Sequence, residues 1–174
     1  MDNIILIGMP GSGKSTVGVL LAKMLGYSFI DTDLIIQQVE GKMLYEILRD
    51  EGAEGFARLE NSVCANLQAK RTVIATGGSA VYGEEAMKHL GSIGKVVYLN
   101  VSLSELKKRV RNFETRGIMR KDGQSLAEIF AERKHLYEKY ADITVNCGRG
   151  SLQKNAEKII AALKNEACKT DKSL

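Results

Sequence analysis

A glycine-rich loop near the start of the chain carries the strongest chemical signal in the sequence. It matches the pattern G-x-x-x-x-G-K-[ST] from Gly8 to Ser15. Glycines allow a tight turn whose backbone amides point at phosphate oxygens, and the following helix adds its positive N-terminal end. Lys14 would reach the β- and γ-phosphates, and the Ser15 hydroxyl would ligate Mg²⁺. Because the loop follows an apolar strand and opens a helical pattern, we predict that it binds a nucleoside triphosphate.

Two carboxylates end the next apolar segment, which reads Phe29-Ile30-Asp31-Thr32-Asp33. In a parallel sheet this end lies at the same edge as the glycine-rich loop, and strand alternation places Asp31 and Asp33 on one side. One carboxylate could belong to the Mg²⁺ shell, while the other accepts a proton from an attacking hydroxyl or orients it. The alternative is that Asp33 or a neighbour only caps a helix.

Two features absent from the sequence argue against some classes of nucleotide-binding protein. The string Asn-Lys-x-Asp, by which GTPases read guanine, does not occur, and the chain of 174 residues is too short for the usual motor accessories. These observations favour a small-molecule kinase. Alternatives are a nucleoside monophosphate kinase, a kinase for another polyol or sugar acid such as gluconate, and an ATP-binding module that has lost its substrate.

The elements that must position these residues alternate along the chain. Short apolar segments at residues 4–7, 28–30, 73–75, 96–99 and 143–145 predict strands covered on both faces. Helical periodicity falls at residues 14–25, 34–39, 44–67, 84–90, 104–111, 124–140 and 151–163. This alternation predicts an α/β fold with a parallel sheet and helices on both faces. We expect one domain over residues 1–164, a lid at about 112–123 and a flexible tail at 165–174.

Composition and charge exclude several functions. The net charge of +4, from 25 basic and 21 acidic residues scattered over many segments, argues against nucleic-acid binding. No apolar run approaches the ~20 residues that cross a bilayer, and Asp2 and Gly8 argue against a signal peptide. The cysteines at positions 64, 147 and 168 are odd in number and widely spaced, as in reduced thiols. We therefore expect a cytoplasmic protein with no membrane partner, and a monomer.

The order and spacing of several motifs resemble the shikimate kinases. The matching pieces are GMPGSGKSTVG at 8–18, FIDTD at 29–33, the segment from Gly52 to Glu60, ATGG at 75–78, Thr115-Arg116, and ERKHLYEKYAD at 132–142. The resemblance implies a five-stranded parallel sheet related to the nucleoside monophosphate kinases. It also implies transfer of the ATP γ-phosphoryl group to a ring hydroxyl of shikimate, with Mg²⁺ as cofactor.

The resemblance also implies roles for individual residues. ATP phosphates and Mg²⁺ would be held by Gly11, Ser12, Gly13, Lys14, Ser15 and Thr16. Asp31 would assist the metal through water, and Asp33 would contact substrate hydroxyls and act as the base. Gly77 and Gly78 would approach the substrate through their amides. Arg116 would neutralise phosphate charge from the lid, and Arg133 would pair with the substrate carboxylate.

Alternatives remain open for the arginines. Arg116 could be a solvated loop residue, and Arg133 could lie on the polar face of an amphipathic helix. Arg149 could stack on the adenine or lie on the surface.

The substrate side departs from the family pattern. Ala57 stands where the family has an arginine that holds the shikimate carboxylate, and Arg58 lies one residue along, about 100° round the helix. The third glycine is Ser79, the proline after the lid arginine is Gly117, and the proline before Leu-Tyr is His135. We therefore predict weak affinity for shikimate unless Arg58 or another basic residue refills the gap. With the family arginine absent, the sequence leaves the role of Glu60 open.

Overall fold

The fold is built on a five-stranded parallel sheet with the strand order β2-β3-β1-β4-β5. The computed structural model describes residues 3–110, 117–121, 123–148 and 150–170. Its strands are β1 (Asn3–Ile7), β2 (Ser28–Asp31), β3 (Thr72–Ala75), β4 (Gly94–Asn100) and β5 (Ile143–Asn146). Every neighbouring pair is parallel, which agrees with the predicted fold class.

Seven α-helices are assigned in the described part of the chain. They are α1 (Lys14–Leu25), α2 (Thr32–Glu40), α3 (Leu44–Ala65), α4 (Glu84–Ile93), α5 (Leu103–Arg109), α6 (Leu126–Tyr140) and α7 (Leu152–Thr170). Helix α1 packs against α7, and α3 packs against α4. The crossover through α1 runs from β1 to β2, whereas those through α3 (β2 to β3) and α4 (β3 to β4) run in the opposite direction across the sheet. Because right-handed crossovers in opposite directions place their helices on opposite faces, these two pairs cover both faces of the sheet.

The central strand is anchored by burial of its whole length. All five residues of β1 are buried, as expected for a strand between two parallel neighbours with helices on both faces. The Asn3 side chain donates to the carbonyls of Ala69 and Ile93, at 2.9 Å each, and accepts from the Thr72 amide at 3.0 Å. These contacts fix β1, and the glycine-rich loop begins where this strand ends.

Capping explains where two helices start. Ser125 and Glu128 form a reciprocal capping box at the start of α6, and the Ser102 hydroxyl accepts from the Glu105 amide at the start of α5. Each satisfies amides that have no partner within the helix.

Helix α3 corrects the prediction of a continuous helix. Gly52 has φ 69° and ψ −179°, so the helix is kinked there and its two halves run in different directions. The sequence pattern did not show this break because the apolar period resumes after the glycine.

The last helix corrects the expected tail. Helix α7 continues to Thr170, because residues 164–168 include helix formers and no Gly or Pro that would stop it. Residues 171–174 lie outside the described residues.

Buried apolar side chains form two hydrophobic clusters. The main core lies on both faces of the sheet. A smaller group, here called the α2–α3 cluster, is formed by the buried residues Ile36, Ile47 and Phe56, with Leu44, Leu48, Leu59, Val63 and Met119 packed around them. This second cluster joins the start of α3 to the site described below. Within the described residues, no helix is long and apolar enough to cross a membrane.

Candidate active site

The glycine-rich loop connects β1 to α1 and has the backbone conformation that its glycines permit. Gly8, Gly11 and Gly13 have φ values of 145°, 80° and 93°, a range that other residues rarely adopt. Gly13 precedes the first residue of α1, so the helix N-terminus faces the loop. These features form the anion-binding cradle that the sequence predicted.

Lys14 is the buried cation of this cradle. Its Nζ donates to the carbonyl oxygens of Gly8 at 2.8 Å and Met9 at 3.1 Å. Burial lowers the pKa of Lys14 to about 8, although the negative charges of Asp33 and Asp31 act in the opposite direction. The ammonium is therefore held beside the loop amides. A phosphate bound there would replace the water contacts that the ammonium loses through burial.

A cleft of about 520 Å³ opens beside the loop at the carboxyl edge of the sheet. Of the predicted site residues, it is lined by Gly11, Gly13, Lys14, Ser15, Thr16, Asp33, Gly77, Gly78, Ser79 and Arg133. Ser12 lies in the loop but is buried, and its hydroxyl has no hydrogen-bond partner among the described residues. The structure therefore brings most of the predicted nucleotide-side and acceptor-side residues into one cavity.

Asp33 faces the cleft from the first turn of α2, and not from a strand as predicted. Strand β2 ends at Asp31, whose carboxylate accepts from the Asp33 amide at 3.0 Å and caps α2. Burial raises the pKa of Asp33 to about 6, with Asp31 acting in the same direction and Lys14 against it. Asp31 does not line the cleft, so the alternative of a capping residue applies to Asp31 and not to Asp33.

The segment after β3 brings backbone close to the cleft. The Gly77 amide donates to the Thr32 hydroxyl at 3.2 Å. A Cβ on Gly77 would overlap Glu60 Oε1 and lie 2.9 Å from Asp33 Oδ1. The Gly78 carbonyl accepts from the Tyr137 hydroxyl at 2.6 Å. Only glycine fits at position 77 without moving these carboxyl groups.

Arg133 also lines the cleft, although it is only 1% exposed. Its Nε donates to the Tyr82 hydroxyl at 3.3 Å, its Nη2 donates to the Met119 carbonyl, and its guanidinium lies 5.2 Å from the centre of the Tyr82 ring. The Tyr82 hydroxyl in turn donates to Glu132 at 2.7 Å. Arg133 is thus a buried, fixed cation, in contrast to a solvated residue on the polar face of a helix.

Glu60 is a buried acid that lines the same cleft. It is 1% exposed, and its Oε1 has no hydrogen-bond partner among the described residues. Burial raises the pKa of Glu60 to about 7. Its position follows from the second half of α3, where Phe56 and Glu60, four residues apart, both face inward.

Arg58 does not line the cleft. It is exposed, and together with Ala57 it borders a second, shallower depression of about 260 Å³ next to the cleft. Glu60 and Ser79 line both cavities. The geometry therefore gives no support to the prediction that Arg58 takes over the missing arginine.

Two predicted arginines fall outside the described residues, namely Arg116 and Arg149. Of the predicted lid, residues 117–121 and 123 are described. Gly117, Ile118 and Met119 line the cleft. The roles of both arginines and the closure of the lid remain predictions.

Several lining residues were missed by the sequence reasoning. Arg109, at the end of α5, reaches the cleft while it pairs with Glu105 at 3.3 Å and donates to the Gly148 carbonyl at 3.3 Å. The apolar residues Phe56, Ile118, Met119 and Leu152 also line it. A Glu–Arg pair four residues apart is an ordinary feature of exposed helices, so it gave no signal of a site.

The class of protein follows from these positions. The phosphate-binding loop, the Asp33 carboxylate and the buried Arg133 line one cleft. In an open α/β sheet, ligands bind at this carboxyl edge. The fold and the site define a P-loop kinase that acts on a small molecule.

Comparisons with known proteins identify the family. A sequence model described as shikimate kinase matches residues 10–164. The shikimate kinase of Persephonella marina is 37% identical over 84% of this chain and 89% of its own length. Shikimate kinase 2 of Serratia proteamaculans is 36% identical over 97% and 99%. The chain belongs to the shikimate kinase family, whose members are phosphotransferases with a hydroxyl acceptor.

Solved structures agree with this assignment. The shikimate kinase from Acinetobacter baumannii in complex with shikimate has a TM-score of 0.88 and 32% identity, covering 95% of this chain and 94% of that one. The enzyme from Aquifex aeolicus has a TM-score of 0.80 and 30% identity, covering 95% and 98%. Thymidylate kinase from Candida albicans, at 16% identity and a TM-score of 0.63, shares the fold.

Proposed function

We propose that this protein transfers the γ-phosphoryl group of ATP to a ring hydroxyl of shikimate, forming shikimate 3-phosphate. The observation that carries the proposal is that Lys14, Asp33 and Arg133 line one cleft. Phosphoryl transfer needs alignment and charge stabilisation more than covalent help from the protein. These three side chains supply both.

The nucleotide side would act through Lys14 and the loop amides. The ammonium and the N–H groups at the start of α1 would bind the phosphate oxygens and stabilise the negative charge that spreads over them during transfer. Gly11, Gly13, Ser15 and Thr16 line this part of the cleft. We propose that Arg116 adds charge from the lid and that Arg149 contacts the adenine.

Asp33 would receive the acceptor hydroxyl. A carboxylate at this point accepts a hydrogen bond from the hydroxyl, orients it, and takes its proton as the new O–P bond forms. With a pKa of about 6, Asp33 is mostly ionised at neutral pH. It is also a stronger base than an exposed aspartate, so it accepts the hydroxyl proton more readily. The backbone around Gly77 and Gly78 would hold the ring beside it.

The residues present fit a magnesium ion that is carried with the nucleotide. No three His, Cys, Asp or Glu side chains in the described residues are grouped as a protein cage, and Mg²⁺ in kinases uses one or two protein oxygens together with substrate phosphates. Ser15 and Asp33 both line the cleft. When bound, the ion neutralises phosphate charge, and Ser15 would hold it; Asp31 would assist only through water.

Arg133 would pair with the acceptor carboxylate. Its guanidinium is fixed by Tyr82 and Met119, so little side-chain entropy is lost when it binds an anion. We further propose that the enzyme works as a monomer in the cytoplasm, where its free thiols at positions 64, 147 and 168 stay reduced.

A phosphorylation assay tests the proposal. The protein is incubated with MgATP and either shikimate or gluconate, and phosphorylated products are identified by mass spectrometry, with Lys14→Met as the inactive control. We expect shikimate 3-phosphate. A phosphorylated gluconate would instead indicate another acid kinase, and saturable ATP binding without any phosphorylated product would indicate a binding module.

A further inference from the structure

The buried arginine of the cleft is held by a tyrosine instead of an acid. Arg133 Nε donates to the Tyr82 hydroxyl at 3.3 Å, and the guanidinium lies 5.2 Å from the centre of the Tyr82 ring. Its Nη2 donates to the Met119 carbonyl. None of the ion pairs among the described residues includes Arg133. Within this part of the chain, the guanidinium is therefore fixed in place without an acid that neutralises it.

Glu132 sets the direction of the Tyr82 hydroxyl proton. The hydroxyl donates to Glu132 Oε1 at 2.7 Å, so its proton is directed to the acid and an oxygen lone pair accepts from Arg133. Burial, and then the hydrogen bond to Glu132, raise the pKa of Tyr82 above its usual value of 10. The hydroxyl therefore keeps its proton at neutral pH and remains a donor to Glu132.

Glu132 is itself held by residues at the end of the predicted lid. Its Oε2 accepts from Gln124 Nε2 at 2.6 Å, and Gln124 Oε1 accepts from the Lys121 amide at 3.1 Å. Hydrogen bonds from Tyr82 and then Gln124 lower the pKa of Glu132, so the carboxylate is ionised and accepts on both oxygens. This chain of hydrogen bonds, from Lys121 to Arg133, holds each polar group in one orientation.

The other cations of the cleft are engaged elsewhere. The described lining residues include three cations, namely Lys14, Arg109 and Arg133. Lys14 belongs to the phosphate loop and donates to two of its carbonyls, and Arg109 pairs with Glu105 at 3.3 Å. The orientation of Arg133 therefore decides how well an acceptor carboxylate is bound.

We propose that Tyr82 is a positioning residue, which holds the Arg133 guanidinium ready for the acceptor carboxylate, and that Glu132 acts through it. The inference rests on the proposed function, because it assumes that an acceptor with a carboxylate occupies this cleft. A direct ion pair between Glu132 and Arg133 would also fix the guanidinium, but the acid would compete with the acceptor for the same N–H donors. A neutral tyrosine between the two charges avoids this competition.

The first test compares shikimate with an analogue in which a primary alcohol replaces the carboxylate. Both acceptors are assayed with saturating MgATP, in the wild type and in Tyr82→Phe, which keeps the ring and removes the hydroxyl. We expect Tyr82→Phe to raise the KM for shikimate about tenfold, the effect of one lost hydrogen bond to a charged group. Its kcat should stay within about twofold, because the lost contact serves binding. The KM for the alcohol should not change, whereas a merely structural role would affect both acceptors alike.

Glu132→Ala tests whether the acid acts through Tyr82. It should raise the KM for shikimate about threefold, because the hydroxyl can then turn its proton towards Arg133, and it should add nothing in the Tyr82→Phe background. Loss of the negative charge by itself acts in the opposite direction and in both backgrounds, since it favours an anionic acceptor. Matched controls on the same helix are Tyr140→Phe and Glu138→Ala, because neither residue lines a cavity described above.

A second measurement reports on Arg133 without any acceptor. The Nε–H signal of Arg133 is followed in ¹H–¹⁵N spectra and is assigned by its absence in Arg133→Lys. Its exchange with water should be about tenfold faster in Tyr82→Phe than in the wild type, because the hydrogen-bond acceptor is gone. Tyr140→Phe should leave the exchange unchanged, and thermal melting checks that each variant is folded.

The outcomes separate this inference from the proposed function. A Tyr82→Phe variant that is impaired equally on both acceptors, or on neither, overturns the positioning role. An equal effect of Glu132→Ala with and without the Tyr82 hydroxyl overturns the role of the acid. If the wild type phosphorylates neither compound, the proposed function fails and the Nε–H signal decides the inference. Faster exchange in Tyr82→Phe alone then supports it, and unchanged exchange overturns it.

Discussion

The nucleotide side and the acceptor side of the cleft are built in different ways. The nucleotide side is one continuous segment, from Gly8 to Thr16, held between the buried strand β1 and helix α1. The acceptor side is assembled from α2, α3, the segment after β3, and α6, which carry Asp33, Glu60, Gly77 and Arg133. The residues of the nucleotide side therefore follow one another along the chain, whereas those of the acceptor side are brought together only by the fold.

Buried charge also differs between the two sides. Burial lowers the pKa of Lys14, but its ammonium donates to two carbonyls. Burial raises the pKa of Glu60, and one of its oxygens has no partner among the described residues. The loop has therefore satisfied its charged group before any ligand arrives, while the acceptor wall has not.

The largest predicted effect comes from replacing Lys14 on the nucleotide side. Lys14→Met should lower kcat by about 10³-fold, because a fixed charge on the transferring phosphate is lost from a desolvated site. Folding should be retained, since a buried ammonium gives way to an apolar chain of similar length. Steady-state kinetics and thermal melting check both points.

The matched control for Lys14 is Lys23→Met, on the exposed face of the same helix. It should leave kcat within about twofold, because exposed charges so far from the phosphates contribute little. A Lys14 variant that retains more than a tenth of the activity would remove Lys14 from the mechanism.

The second prediction separates the two aspartates. Asp33→Asn should lower kcat by about 10²-fold, and the acidic limb of wild-type kcat/KM, centred near the Asp33 pKa of about 6, should disappear. The limb falls towards low pH because a protonated Asp33 cannot accept the hydroxyl proton. A pH–rate profile measures this.

Asp31→Asn serves as the counterpart, because asparagine also caps helices well. Nearly unchanged activity would agree with the capping geometry. A large loss of metal-dependent activity would instead restore Asp31 to the magnesium shell.

The third prediction disturbs the acceptor wall alone. Gly77→Ala places a Cβ against Glu60 and Asp33, and overpacking of this kind costs about 1–3 kcal/mol. We expect the KM for the acceptor to rise about thirtyfold while the KM for ATP changes little. Gly91→Ala, on α4 with open space around it, is the control; equal changes in both KM values for Gly77→Ala would contradict the division into two sides.

The last prediction concerns the free energy of unfolding and its dependence on pH, not the rate of catalysis. The pKa of Glu60 is about 7 in the folded protein against a usual 4.5, so the folded state binds this proton more tightly than the unfolded state. Its stabilising contribution is complete below about pH 4.5 and is lost as the pH rises through 7. Glu60→Gln should therefore gain up to about 3 kcal/mol over the wild type at pH 8 and little at pH 5.

Urea unfolding at the two pH values measures this difference, and Glu54→Gln should show no such gain. Equal effects of Glu60→Gln at pH 5 and pH 8 would mean that a hydrogen-bond partner satisfies the ionised Glu60 carboxylate in solution.

The sequence predicted the parts of the structure that depend on neighbouring residues. Apolar segments identified the strands, and the motif from Gly8 to Ser15 identified the phosphate loop, because each is set by local backbone chemistry. The break at Gly52 was missed, since a single glycine in an apolar period does not reveal its φ. The helical residues after Lys164 were missed because a polar composition was taken for a tail.

The acceptor wall shows why the rest could not be predicted. Asp33 was expected on a strand, yet the cap made by Asp31 starts a helix one residue earlier. The burial of Glu60 depends on Gly77, seventeen positions away, and on packing of α3 against α4. Arg109 and Met119 reach the cleft only through the tertiary fold. Contacts between residues that are distant in the chain produce no periodic pattern in the sequence.

The kink at Gly52 has a consequence for how the molecule opens. The first half of α3 is joined to the rest through the α2–α3 cluster, which has only a few buried members, whereas β1 lies wholly within the main core. Local unfolding begins where buried apolar contacts are few. Amide protons of residues 44–51 should therefore exchange with deuterium well before those of β1, so that the first half of α3 opens while the central strand stays folded.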